Sequence, residues 1–145
     1  MNQQAFELGK SAYDQGDWFV AISQFDVAKA PGEVNGQIDH LLGNAYMKLG
    51  QFDSAASAYK SALADASYGK VGALSTNQGR ALLAAGRVQE AIAALTNAVQ
   101  DTSYATPYKA QLALGSAYEK IADIRNAGIA YSNAAVDEKN PTPSS

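Results

Sequence analysis

Few side chains in this sequence could do chemistry, and their spacing keeps them apart. His40 is the only histidine in 145 residues, and there is no cysteine. A metal site or a general base needs a second donor or an orienting partner, and neither a second histidine nor a thiolate exists to serve. Asp39 adjoins His40, but neighbours on a helix point about 100° apart and do not share a face. His40 therefore reads as a helix-surface histidine. Asp14, Asp17, Asp137 and Glu138 fall at expected helix ends and turns, where capping and solvation account for acidic residues. The glycines are not preceded by a strand and are not clustered as a phosphate loop requires. No nucleophile, base and orienting group come together. The expectation is a protein that is not an enzyme, with no catalytic residue, no metal and no cofactor.

Charge narrows the partners. Lysine and arginine total 11 against 14 acidic residues, a net charge of -3, and the basic residues are scattered from Lys10 to Lys139. Nucleic-acid binding needs a concentrated positive surface to displace counterions. A nucleic-acid-reading helical repeat of similar period fits the length alone and would want basic groove positions. Met1 to Lys10 has neither the basic nor the apolar region of a signal peptide, and no segment approaches the ~20 apolar residues of a membrane span. The expected setting is cytoplasmic, with a protein or peptide partner, no nucleic acid and no membrane.

The elements that position these residues are helices. Twenty-nine residues are alanine, the best helix former and small enough to let helices approach closely. Proline is confined to Pro31, Pro107, Pro141 and Pro143. Comparing the sequence with itself is the informative step. Gly9, Gly43, Gly79 and Gly115 recur at spacings of 34, 36 and 36 residues. Gly16, Gly50, Gly86 and Ala122 keep the same register. So do Ala21, Ala55, Ala91 and Ala127; Phe25, Tyr59, Leu95 and Tyr131; and Ala28, Ala62, Ala98 and Ala134. Within one repeat, Leu42, Ala45, Tyr46 and Leu49 form an apolar face at i, i+3, i+4 and i+7, and Gly50 ends that helix. Ala55, Tyr59, Ala62 and Leu63 form a matching face on a second helix. The column glycine and alanines mark close backbone approach, with a large side chain from the Phe25 column filling the gap beside them. Thr106 before Pro107 reads as an N-cap with proline in the first turn.

Leu42-Gly43-Asn44-Ala45-Tyr46, followed by Gly50-Gln51-Phe52, Ala55, Tyr59 and Ala62, resembles a tetratricopeptide repeat in nearly every signature column. Gly16-Asp17-Trp18 with Ala21-Ile22, Gly79 with Ala85-Gly86-Arg87, and Leu114-Gly115-Ser116-Ala117-Tyr118 resemble it in the other repeats. The resemblance implies an all-α, right-handed α-α superhelix, a solenoid of four helical hairpins. Its repeats would span about 2–35, 36–69, 72–105 and 108–139, with 140–145 a C-terminal tail or linker. It also implies a non-catalytic protein–protein interaction scaffold that holds an extended peptide in a groove lined by the first helices. Groove positions on those helices are Phe6, Lys10 and Tyr13; His40, Asn44 and Met47; Thr76, Arg80 and Leu83; and Leu112, Ser116 and Glu119. Some tetratricopeptide co-chaperones clamp two carboxylates of a C-terminal tail. By repeat column Asn44, Asn77 and Lys109 match that clamp, whereas His40 replaces a lysine and Ala113 a basic residue. Arg80 would have to supply the missing forked donor.

Two features depart from the family pattern. Ala66-Ser67-Tyr68 and Thr102-Ser103-Tyr104 stand where proline usually separates repeats, and two extra residues enter each of these junctions. A longer turn is expected there, with Tyr68 and Tyr104 as packing wedges; the alternative reading is aromatics that contact a ligand. At the C-terminal end, Ile129 and Val136 are apolar and lie seven residues apart, where earlier repeats carry Ser23 and Ala30, then Ser57 and Ala64. The sequence reads as an array open at that end, part of a longer array or self-associating through Ile129 and Val136.

Overall fold

The structure, a computed structural model, describes residues 1–139; the stretch 140–145, read from sequence as a tail or linker, lies outside the described residues. These form eight helices and no strand: α1 (Gln3–Asp14), α2 (Trp18–Ala28), α3 (Gly36–Lys48), α4 (Phe52–Leu63), α5 (Val71–Ala84), α6 (Val88–Gln100), α7 (Pro107–Lys120) and α8 (Ile124–Lys139). Consecutive helices pair as antiparallel hairpins, α1 with α2 through α7 with α8. The chain divides into two compact units, residues 1–69 and 70–145.

Local chemistry sets the helix boundaries. Asn2 and Asn35 accept the Ala5 and Ile38 amides at 3.1 Å, and Asp17 accepts that of Val20 at 3.4 Å, each satisfying an orphan donor of a first turn. Thr106 occupies the N-cap position of α7 with Pro107 in the first turn, but its side chain makes no capping bond. Inside each hairpin the chain reverses through one left-handed residue. Gly16, Gly50 and Gly86 take φ of 75°, 72° and 82°, and Ala122 is forced to 60° in the same column. An L-residue with a Cβ pays for that conformation, and glycine does not.

In the N-terminal unit, α2 packs on both α1 and α3. Phe25, Ala21 and Ala28 of α2 join Ala5, Phe6, Ile38 and Leu42 in one buried cluster. The column glycines are needed for this. A Cβ on Gly9 would stand 2.7 Å from the Phe25 ring, and one on Gly43 would stand 2.5 Å from Tyr59. One charged pair is partly buried in the same region: Lys29 Nζ, at the C-cap of α2, lies 2.7 Å from the Asp39 carboxylate on α3, which is almost wholly enclosed. Removing the lysine would strand that charge, so the pair fixes how α2 meets α3 more than it adds stability. Nearby, burial raises the Asp26 pKa above its ordinary value, despite the opposing effect of Lys29.

In the C-terminal unit α6 packs between α5 and α7, and α7 packs against α8. Leu95, Ala98, Ala110, Leu114 and Ala130 form the cluster there. Gly79 and Gly115 again sit against the large column residue of their hairpin, Leu95 and Tyr131.

The extra junction residues form a closure, repeated once in each unit. Asp65 Oδ1 accepts the Ser67 amide at 3.1 Å and the Ser67 hydroxyl at 2.6 Å, while Oδ2 accepts the Gly36 amide at 2.8 Å. Asp101 repeats this with Ser103 at 3.1 and 2.7 Å and with Gly72 at 2.9 Å. The following tyrosine lies on the glycine: a Cβ on Gly36 or Gly72 would come within 2.5 Å of the Cβ of Tyr68 or Tyr104. The motif Asp-x-Ser-Tyr thus ties the end of a hairpin's second helix to the start of its first, and Tyr68 and Tyr104 are wedges. Bonds from Ser67 and Gly36 hold the Asp65 carboxyl below its ordinary pKa, and bonds from Ser103 and Gly72 do the same for Asp101.

Candidate functional site

The first helices carry the residues singled out for a groove, and each unit holds its own set. In the N-terminal unit these residues are tied together. Asn44 on α3 donates from Nδ2 to the Tyr13 hydroxyl of α1 at 3.1 Å, and its Oδ1 accepts the Tyr59 hydroxyl of α4 at 2.6 Å. One amide side chain therefore bridges three helices. His40, one turn earlier on α3, has Nδ1 2.8 Å from the Tyr68 hydroxyl and meets the Tyr59 and Tyr68 rings edge-on, with centroids 6.2 and 5.9 Å away. It is half-buried rather than the surface histidine expected, because the inserted Tyr68 folds back over it. Tyr13 also packs edge-on against Trp18 at 5.2 Å. Phe6 is a core residue, with Lys10 Nζ 5.6 Å from its ring centroid and the lysine exposed. Met47 is half-buried. The outcome is an aromatic, hydrogen-bonded surface whose polar atoms are fixed by packing.

In the C-terminal unit the set is less connected. Thr76 is buried, and its hydroxyl donates to the Gly72 carbonyl at 2.8 Å, so it presents nothing to a ligand. Asn77 and Ser116 are half-buried, while Arg80, Lys109, Leu112 and Glu119 are exposed. The Tyr131 hydroxyl donates to the Glu119 carboxylate, and that bond raises the tyrosine pKa. Asn97 on α6 donates to the buried Ser75 hydroxyl at 3.0 Å.

Tyr59 and Tyr68, read from sequence as packing residues, do pack, and their hydroxyls also hold Asn44 and His40 of the N-terminal set. The signal was present at Tyr59: a tyrosine in a column otherwise allowing Phe25 and Leu95 needs a partner for its hydroxyl when buried. Away from this surface, Asp39 borders a shallow depression of about 250 Å³ lined by Leu42, Tyr46, Ser54, Ser57 and Ser61. Among the described residues no three His, Cys, Asp or Glu side chains converge as a metal site. No described helix is long and apolar enough to cross a membrane.

Paired helices in register, a glycine column seated on large side chains and chain reversals at one fixed position define a helical-repeat protein of the tetratricopeptide class. The tetratricopeptide repeat family description matches residues 40–107 and 76–142, and the chain belongs to that family. Among solved structures it is similar to MamA, with 20% identity and a TM-score of 0.82 over 94% of this chain and 78% of that one. It is similar also to MamA from Desulfovibrio magneticus RS-1, at 18% identity and a TM-score of 0.81 over 96% and 76%. The C-terminal part of a TPR repeat-containing protein from Cytophaga hutchinsonii aligns at 18% identity with a TM-score of 0.75, over 94% of this chain and 56% of that chain. None of the curated proteins matches the sequence. The fold is the all-α fold of tetratricopeptide solenoids. Family and fold support a general role as a protein-interaction scaffold, a class that is typically non-catalytic.

Proposed function

We propose that the first-helix faces bind an extended segment of a partner protein. The observation that carries this reading is the Tyr13–Asn44–Tyr59 bridge beside the His40–Tyr68 pair. Aromatic rings and amide groups held by packing lose little freedom on binding, which favours capture of a peptide backbone. In the C-terminal unit Asn77, Arg80, Lys109, Leu112, Ser116 and Glu119 offer a more exposed and partly cationic surface. Arg80 and Lys109 suit a carboxylate there, as charge-assisted donors. A location in the cytoplasm belongs to the same reading.

Calorimetric titration of acidic C-terminal peptides tests both levels of the proposal. Loss of a charged hydrogen bond in Arg80→Ala or Lys109→Ala should weaken binding by about 1.5–3 kcal/mol. Asn44→Ala frees two tyrosine hydroxyls and should weaken peptides seated on the N-terminal unit. Equal affinity for free-acid and amidated peptides discards the carboxylate site and keeps the scaffold. Absence of any peptide binding on either face discards the groove.

A further inference from the structure

Asn35–Gly36 is the one Asn-Gly pair in the sequence, and two unrelated packing demands put it there. Asn35 caps α3, its Oδ1 accepting the Ile38 amide at 3.1 Å. Gly36 must be glycine, because Tyr68 occupies the place of a Cβ. The pairing carries a chemical liability. Glycine has no Cβ to shield its nitrogen, so the side chain of a preceding asparagine is open to attack by it. A bond forms between Gly36 N and Asn35 Cγ, the Cγ–Nδ2 bond breaks, and the Gly36 amide proton leaves with Nδ2 as ammonia. Water then opens the five-membered imide at either carbonyl, giving aspartate or isoaspartate.

The folded hairpin blocks this reaction at each step. The Gly36 amide donates to Asp65 Oδ2 at 2.8 Å, and a carboxylate there opposes loss of the proton that attack requires. Bonds from Ser67 and Gly36 hold Asp65 below its ordinary pKa, so it is ionised at neutral pH. The backbone is also set against ring closure. The ring needs Gly36 N to eclipse the Asn35 Cβ, which for an L-residue means ψ of roughly −120°. Asn35 stands at ψ 97°, so its Cα–C bond must turn by well over a right angle, out of the cap and off the Asp65 carboxylate. The side-chain amide is held at both ends, by the Ile38 amide on Oδ1 and by Met1 Sδ 3.7 Å from Nδ2. The other clasped glycine has no such neighbour. Gly72 meets Tyr104 and Asp101 as Gly36 meets Tyr68 and Asp65, but Val71 precedes it.

We propose that Asn35 is a conditional deamidation site, silent while Asp65 clasps Gly36 and reactive once this hairpin opens, and that isoaspartate formation then keeps it open. The imide leaves Gly36 without the proton that Asp65 binds. Isoaspartate routes the main chain through Cβ, which adds a backbone atom before Gly36 and spoils both the α3 cap and the seat of Gly36 on Tyr68. Opening of the hairpin is thereby recorded as a permanent covalent change. The site lies at the start of α3 and does not depend on what the first-helix faces bind.

The test incubates the full chain in mildly alkaline buffer, native and in urea. Peptide mass spectrometry with electron-transfer fragmentation follows deamidation and isoaspartate at Asn35. The native chain should react at least about tenfold more slowly than the unfolded one, since reaction waits on opening. Asp65→Ala should raise the native rate about tenfold, as befits loss of a charge-assisted hydrogen bond. Asp101→Ala removes the matching clasp in the other unit and should leave the Asn35 rate at the parent value. Should Asp65→Ala fail to fold by circular dichroism, Ser67→Ala loosens the Asp65 carboxylate without removing it and should give a smaller rise. Hydrogen exchange on the isoaspartate fraction should show lost protection at the start of α3. An equally aged Asn35→Ser control, which keeps a capping hydroxyl, should retain it. Equal native and unfolded rates, no acceleration in Asp65→Ala or Ser67→Ala, or equal acceleration in Asp101→Ala would overturn the inference. So would full α3 protection in the isoaspartate fraction.

Discussion

Gly43 and Gly115 occupy the same column and face the same residue type, yet alanine should have different costs at the two sites. At Gly43 a Cβ would stand 2.5–2.8 Å from three atoms of the Tyr59 ring. Ordinary carbon contacts begin near ~3.5 Å, so the ring must withdraw by about 1 Å. Tyr59 is enclosed, and its hydroxyl is anchored on Asn44 at 2.6 Å, so withdrawal strains the packing and breaks that bond. Overpacking of about 1–3 kcal/mol and a lost hydrogen bond of about 1 kcal/mol oppose a helix-propensity gain of about 1 kcal/mol. The net destabilisation is about 1–3 kcal/mol by that reckoning. At Gly115 the facing ring is Tyr131, which is partly exposed and free to rotate outward at the expense of its bond to Glu119. That exposed bond contributes little, so the propensity gain nearly cancels the clash and Gly115→Ala should lie within about 1 kcal/mol of the parent. Urea unfolding followed by far-UV circular dichroism measures both, with hydrogen exchange assigning each loss to its unit. Equal costs at the two sites, or a larger cost at Gly115, would refute the idea that the facing ring's freedom decides the effect.

Two other perturbations test the backbone and the closure. Asp65 and Asp101 have folded pKa values below the ordinary 3.8, so their bonds contribute stability that is present above that value and lost as pH falls through the folded pKa. Asp65→Asn with Asp101→Asn should flatten the acid limb of the stability profile below about pH 4, and an unchanged limb would show that the closure carries no weight. Ala122→Gly relieves a left-handed alanine at φ 60° and should stabilise the protein by up to about 1 kcal/mol; a lowered unfolding midpoint would contradict that strain.

Much of the fold was legible because steric demand repeats. Gly9, Gly43, Gly79 and Gly115 face Phe25, Tyr59, Leu95 and Tyr131, and both columns are visible in the sequence because neither can vary freely. The surface chemistry was less legible. The setting of His40 depends on Tyr68, 28 residues away, and Asn44 depends on Tyr13 and Tyr59. Thr76 shared the groove spacing, yet a carbonyl one turn back on its own helix takes its hydroxyl. The burial of Asp39 against Lys29 left no trace, since the matching positions elsewhere, Leu63 with Ser75 and Val99 with Gln111, carry no charge. At the far end, Ile129 and Val136 drew notice because they are apolar.

The Asp-x-Ser-Tyr closure bears on how the chain assembles. Asp65 meets Gly36, and Asp101 meets Gly72, across 29 residues in each case. Every partner in the closure comes from the hairpin being closed, so the loop that must be ordered first is short and the contacts that reward it are local. Low sequence separation of this kind favours fast folding. It also makes each of these hairpins a self-sealed cassette of about one repeat period, carrying both its hinge and its clasp. A gene segment encoding such a cassette could be duplicated or moved with its own closure intact.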